Sequence, residues 1–293
     1  MRKRSLSLIG TGALGGVMIR AAVRADFFVH SIYNRSPHRA QKLAKETGIE
    51  TAGSFPSVKK DLGDVIFLAV PDDKLENTAQ KLAEVSDDFS GSFVVHCAGG
   101  RPLSVLQPLQ AKGAAIACFH PIQTFTAASA PSDFEHIYID ISGDEAAVSY
   151  LRQFAEALGS RPMEISAKAK PYLHAAAVMA ANYMVALVEA AGQTAELGGL
   201  DKKITQRALM PLLQQSIANI GASESLIDAL SGPIARGDAS TVAEHSKLLE
   251  QKPELLALYQ NMGLILTKMM QESGTLDSQK IRSLEKILSD DDG

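Results

Sequence analysis

The run Leu6-Ser7-Leu8-Ile9-Gly10-Thr11-Gly12-Ala13-Leu14-Gly15-Gly16-Val17-Met18-Ile19 decides the fold. Four residues of strand character enter a GxGxxG turn, and a helix-forming segment leaves it. In that setting Gly10 makes a tight turn, Gly12 lets the backbone approach a phosphate, and Gly15 lets the helix pack closely on the strand. Thr11, Ala13 and Leu14 complete the loop, and the N–H groups of the new helix face the bound anion. The pattern predicts a pyrophosphate cradle of the dinucleotide-binding kind. A glycine-rich turn serving another ligand is the competing reading.

Outward from this turn, short β-type runs alternate with helical segments. Strands are expected at Leu6 to Ile9, Phe28 to Tyr33, Val65 to Val70, Phe93 to His96, Ala115 to Phe119, Ile137 to Ile141 and about Pro162 to Ile165. Ser36-Pro37 reads as a helix cap with proline in the first turn, and Gly48 as the stop of that helix. A further helix is expected over Glu145 to Leu158. Beyond about Ala167 no strand-like run remains. Helices are expected over Pro171 to Leu197, Lys203 to Ile220 with Pro211 bending or interrupting it, Thr241 to Gln251, Pro253 to Glu272 and Asp277 to Leu288. The fold class is therefore α/β: a Rossmann-like, mostly parallel sheet over residues 1–166, followed by an all-α domain over residues 167–293.

Composition supports this division and excludes several classes of function. With 29 basic against 33 acidic side chains, the net charge of -4 offers no basic face for nucleic acid. The basic run Arg2-Lys3-Arg4 and the apolar Leu6 to Ile19 imitate a secretory signal. Gly10, Gly12, Gly15 and Gly16 interrupt that run, and Arg20 and Arg24 charge its far end, so the segment is read as part of the fold. Ala175 to Gly192 is the most apolar stretch, but Asn182, Tyr183 and Glu189 interrupt it, so no membrane span is expected. Two cysteines, Cys97 and Cys118, are too few for a disulfide framework and point to a reducing, cytoplasmic setting. Asp290-Asp291-Asp292 reads as a solvated tail.

The second strand ends in Asn34-Arg35-Ser36, where an NAD-selective site would place a carboxylate. A guanidinium can grip a 2′-phosphate that a carboxylate would repel, so the expected cofactor is NADP(H). Arg35 as a plain surface residue and Ser36 as a simple cap remain the alternative. Ala69-Val70-Pro71 and Ala98-Gly99 follow strands whose carboxyl ends line the ligand crevice, and both are expected along the cofactor. His96-Cys97 and Cys118-Phe119-His120 invite a metal reading. His96 and Cys97 would point to opposite faces of a strand, however, and no metal is expected.

In the helical half, His174, Asn182 and Glu189 fall on one apolar arc when counted at 100° per residue. His174 is placed to be a general acid and Asn182 to orient a carbonyl or imine. Two buried, hydrogen-bonded core side chains would satisfy the same pattern. Ser231-Gly232-Pro233-Ile234-Ala235-Arg236-Gly237-Asp238 is a polar turn followed by a helix bearing Thr241 and His245, with Thr241 and Glu244 spaced as a capping box. Ser231, Arg236, Asp238 and His245 are candidate substrate-binding residues, Arg236 as the clamp on a carboxylate. A loop with a well-made helix cap is the alternative.

Together, the glycine turn, Asn34-Arg35-Ser36, His96-Cys97-Ala98-Gly99, His120-Pro121-Ile122-Gln123, the helix with His174 and Asn182, and the Ser231 to Asp238 segment with Thr241 and His245 resemble one family. It is the group of NADP-dependent oxidoreductases that join a Rossmann-like domain to a helical C-terminal domain of unknown function. The likeness spans nearly the whole chain. More distantly, the sequence is similar to ketopantoate reductase, pyrroline-5-carboxylate reductase and the deazaflavin-dependent NADP reductases. Ketopantoate reductases use a lysine at the start of the corresponding helix. Here His174 lies nearest that place with Lys170 one turn earlier, which argues against that reaction. The resemblance implies homodimers built through the helical domain. The expectation is an NADP(H)-dependent oxidoreductase for a small, anionic carbonyl or imine compound bound between its domains. A non-catalytic NADP(H)-binding sensor with a partner surface is the alternative.

Overall fold

The computed structural model describes residues 4–289. The expected tail Asp290-Asp291-Asp292 and the basic residues Arg2 and Lys3 lie outside them. An eight-stranded sheet has the order β3-β2-β1-β4-β5-β6-β7-β8. Its strands are β1 (Leu6–Ile9), β2 (Val29–Tyr33), β3 (Thr51–Gly53), β4 (Val65–Leu68), β5 (Phe93–His96), β6 (Ala115–Pro121), β7 (Tyr138–Gly143) and β8 (Arg161–Met163). All neighbours pair in parallel except β6 and β7, which run antiparallel.

Both faces of the central strands are covered, which is why β1, β4 and β5 read as nearly unbroken apolar runs. Leu6, Leu8 and Phe67 join one core with Val17, Met18, Ala40, Leu151 and Phe154, from the helices α1 (Ala13–Arg24), α2 (Pro37–Thr47) and α5 (Glu145–Ala157). Ile9, Ile66 and Leu68 join the other with Leu75, Leu82, Leu106 and Leu109, brought by α3 (Asp72–Ala83) and by a 3-10 turn with the short α4 (Gln107–Gln110). Adjacent residues of a strand thus serve opposite cores. Ser36 and Gly48 bound α2 as expected, Gly48 with φ 73°. The edge strand β3 went unread because its three half-buried or exposed residues carry no apolar signal.

Two compact units divide the chain, Met1–Ala181 and Asn182–Gly293. The compositional break near Ser166 falls earlier, where the strands end. Helix α6 (Lys170–Ala177) counts with the sheet because Lys170 pairs with Asp140 of β7 and His174 meets His120 of β6.

The second unit holds α7 (Tyr183–Leu197), α8 (Lys202–Ala222), α9 (Pro233–Arg236), α10 (Ala239–Leu249), α11 (Pro253–Glu272) and α12 (Ser278–Leu288). Pro211 lies inside α8 without interrupting it. The last four helices share a small core of Ile234, Val242, Met270, Ile281, Leu284 and Leu288. α7 and α8 have no such core. Gly192 is the sole fully buried residue of α7 and α8 has none, while Val185, Ile204 and Leu212 are 71%, 68% and 63% exposed.

A five-residue π-helical turn (Val178–Asn182) joins α6 to α7, and the whole Lys170–Leu197 helix is long and apolar enough to cross a membrane, with a mean hydropathy of 1.4 over its best window. Glu189 of this helix is held by Lys202 and Gln206 of α8 and by Gln193. A carboxylate in that polar network suits water or protein far better than hydrocarbon.

Candidate functional site

The glycine turn has the geometry its sequence requires. Gly10 sits at φ 108°, and a Cβ there would stand 2.3 Å from the carbonyl oxygen of Ala69. A Cβ on Gly15 would stand 2.1 Å from the carbonyl oxygen of Gly10. Only glycine permits either contact, and together they lock α1 onto β1 and β4. Gly12, by contrast, faces open space and begins α1 with no side-chain cap and no acidic residue in the first turn. The positive end of the helix is therefore unopposed at an open backbone, the setting in which an anion binds. Ala13 is exposed and Leu14 half-buried against the core. The Thr11 hydroxyl is buried with no partner among the described residues.

The Asn34 amide links the two sides of this turn. It accepts a hydrogen bond from the Thr11 backbone N–H at 3.2 Å and donates to the Ser36 carbonyl at 3.1 Å. Arg35 and Ser36 are exposed beyond it, and the Ser36 hydroxyl makes no capping bond. Ala69 and Val70 are half-buried beside the glycines, and Pro71 is exposed at the start of α3. Ala98 and Gly99 are buried after β5.

At the same edge of the sheet lies a polar cluster that sequence reasoning had only partly collected. Asp140 and Lys170, both buried, form an ion pair in which Lys170 Nζ donates to Asp140 Oδ2. Asp140 pairs directly with His120 across the antiparallel β6–β7 ladder, so both side chains share one face. The imidazole rings of His120 and His174 are 6.0 Å apart between centroids. His96 is fully buried. Its Nδ1 accepts the Ala98 N–H at 3.3 Å, which leaves the proton on Nε2. Burial, aided by the Lys170 charge, lowers the His96 pKa to about 4. Burial also lowers that of His120, against a raising pull from Asp140. The thiols of Cys97 and Cys118 are both pushed up by burial, Cys118 to about 12, and neither forms a disulfide. They are poor nucleophiles. Among the described residues no group of three or more His, Cys, Asp and Glu side chains is disposed to hold a metal ion.

In the second unit, Asp238 is the N-cap of α10. It accepts the Thr241 N–H at 3.1 Å and the Thr241 hydroxyl at 2.7 Å, so the cap is an Asp–Thr pair in place of the Thr241–Glu244 box. His245 Nδ1 and the Tyr259 hydroxyl are 3.0 Å apart. Ser231 and Arg236 are exposed, and the Arg236 carbonyl accepts from Lys280. Asn182 closes the π-helical turn and is exposed. That turn breaks the 100° count on which its common arc with His174 was based.

The sheet order and the glycine turn define a Rossmann-like protein. Residues 1–121 match the model of a Rossmann-like domain, and residues 137–265 match a domain of unknown function, DUF2520. The chain thus combines a Rossmann-like domain with a DUF2520 domain, the pairing its motifs resemble. No curated protein matches the sequence. Among solved structures, protein TM1727 from Thermotoga maritima is similar at 25% identity and TM-score 0.71, over 92% of this chain and 99% of that one. A pyrroline-5-carboxylate reductase from Coxiella burnetii is similar at 17% identity and TM-score 0.59, over 90% and 99%. A reductive aminase from Aspergillus terreus, in complex with NADPH and ethyl levulinate, is similar at 18% identity and TM-score 0.61, over 96% and 98%.

Proposed function

We propose that this protein is an NADP(H)-dependent oxidoreductase that moves hydride to or from a small carbonyl or imine compound. The observation that carries the reading is the glycine turn, with Gly10 and Gly15 closed against backbone and Gly12 open to an approaching phosphate. Similarity to a pyrroline-5-carboxylate reductase and to an NADPH-bound reductive aminase supports the same reading. The backbone from Gly10 to Gly15 holds the pyrophosphate. Arg35 and Ser36, exposed and not committed to the helix cap, receive the 2′-phosphate, with Asn34 fixing the turn between them. Ala69, Val70, Pro71, Ala98 and Gly99 border the path of the ribose and nicotinamide. When bound, the cofactor would supply or accept the hydride.

His174 is the proposed proton donor, a half-buried imidazole at the sheet edge that also bears the glycine turn. Asn182 orients the reacting group. Arg236 anchors an anionic part of the compound, with Ser231 and His245 beside it, and Asp238 shapes that wall by capping α10. The reducing setting of the cytoplasm suits two unpaired thiols. Two copies pair through α7 and α8, whose large side chains otherwise stand in water.

Fluorescence titration with NADPH and NADH tests the cofactor assignment, and the lack of tryptophan keeps the background low. Failure to bind NADPH overturns it. NADPH oxidation with keto acids and cyclic imines, repeated for His174→Ala, tests the chemistry. A protein that binds NADPH yet turns over none of them is instead a sensor.

A further inference from the structure

Helix α6 presents Lys170 and His174 four residues apart, hence on one face. Beneath them, Asp140 and His120 are a directly opposed pair of the β6–β7 ladder. The two pairs are in register: Lys170 bonds to Asp140, and the His174 ring meets the His120 ring. The glycines after β5 form the floor. A Cβ on Gly99 would lie 2.3, 2.5 and 2.6 Å from Cε1, Nε2 and Nδ1 of His120, so the imidazole's polar edge rests where a side chain would be. A Cβ on Gly100 would lie 3.4 Å from Cδ2 of His174.

We propose that His120 is a positioning residue that acts through His174, its ring fixed by Gly99 and Asp140 so that it selects the His174 tautomer whose N–H faces His120 and whose other ring nitrogen is left open to take up a proton and deliver it to the compound. The proposal rests on the reading of His174 as proton donor. Asp140 has one carboxylate oxygen occupied by Lys170, while Oδ1 is buried with no partner among the described residues. A ring N–H of His120, the residue opposite in the ladder, is assigned as the donor that Oδ1 lacks. Once that nitrogen is committed, the other offers only a lone pair, and a neighbouring His174 can present an N–H to it. Burial lowers the His120 pKa and so disfavours its charged form, in the sense the arrangement requires. The other groups acting on His120 are Lys170 and His174 of α6 and Asp72 of α3. Of these, His174 and Lys170 work against a positive charge there and Asp72 works in its favour.

Long-range 1H–15N spectra of histidine-labelled full-length protein at about pH 7.5 report the tautomer of each ring. His120 is expected neutral in one tautomer, and His174 predominantly in one. In His120→Leu, with the fold checked by circular dichroism, His174 is expected to revert to a mixture of both tautomers. Gly99→Ala removes no hydrogen-bonding group but displaces the ring, and is expected to do the same. A charged His120 or mixed His174 tautomers in the wild type overturns the proposal without need of any variant. So does a His174 tautomer ratio unchanged in folded His120→Leu. Because no turnover is read, failure of the reductase reading leaves these spectra unaffected and is told apart from failure of this one.

Discussion

A Cβ placed on Gly15 would collide with the carbonyl oxygen of Gly10 at 2.1 Å, whereas one on Gly12 would meet nothing within 4 Å. The same motif therefore contains two glycines required by the fold, Gly10 and Gly15, and one, Gly12, that faces open space. Gly15→Ala is expected to lower the melting temperature and abolish binding together. Gly12→Ala is expected to leave the melting temperature within a few degrees of wild type while weakening NADPH binding at least about tenfold, because the added methyl blocks the phosphate. Calorimetry beside fluorescence titration separates the two. Equal loss of stability in both variants would refute the division of roles.

Arg35 carries the proposed discrimination between cofactors. A charge-assisted contact to the 2′-phosphate contributes about 1.5–3 kcal/mol, so Arg35→Ala is expected to weaken NADPH binding by roughly 10- to 100-fold and leave NADH binding almost unchanged. Equal effects on both cofactors would place Arg35 outside the phosphate site.

His96 predicts a pH dependence of stability. Its folded-state pKa of about 4 lies below the ordinary 6.5, so between these values the unfolded chain binds a proton that the folded chain does not. Stability from this group is complete above about pH 6.5 and falls as the pH drops toward 4, by up to about 3 kcal/mol. Urea midpoints at about pH 7.5 and 4.5 are expected to differ more in wild type than in His96→Asn, which removes the titrating ring. An identical difference in both would clear His96 of responsibility.

Asp238 distinguishes a cap from a substrate ligand. With both carboxylate oxygens engaged by Thr241, and Ser240 donating to one of them, Asp238→Asn is expected to preserve most of the cap, and Asp238→Ala to lower the melting temperature by a few degrees. If KM rises in both variants while stability falls only in the second, Asp238 touches substrate as well.

The α7–α8 surface predicts self-association. Replacing Val185 and Ile204, 71% and 68% exposed, by glutamate is expected to convert a dimer to a monomer in sedimentation velocity. A wild-type protein that sediments as a monomer at micromolar concentration would dismiss this surface as a dimer contact.

Much of the first unit was legible because its signals are local. Strands buried on both faces, the strand–glycine–helix junction and the Ser36 and Gly48 boundaries each show in a few consecutive residues. The charged half of the site was not. Asp140 lies near the start of β7, and that strand runs opposite to its neighbour β6, so its beginning rather than its end reaches the ligand edge. A search along the carboxyl ends of strands passes it by. Lys170 was visible only as a lysine one turn before His174, since its partner is thirty residues away in the chain. The π-helical turn left no compositional mark, and it spoiled the angular count that linked His174 to Asn182.

The seat that Gly99 provides for His120 ties two distant positions into one unit of inheritance. Any larger residue at 99 must displace the imidazole at 120, and a smaller or flexible side chain at 120 frees 99 to vary. Across relatives of this chain the two positions should change together or not at all. Such covariation would mark out, from sequence alone, those members that retain the paired histidines.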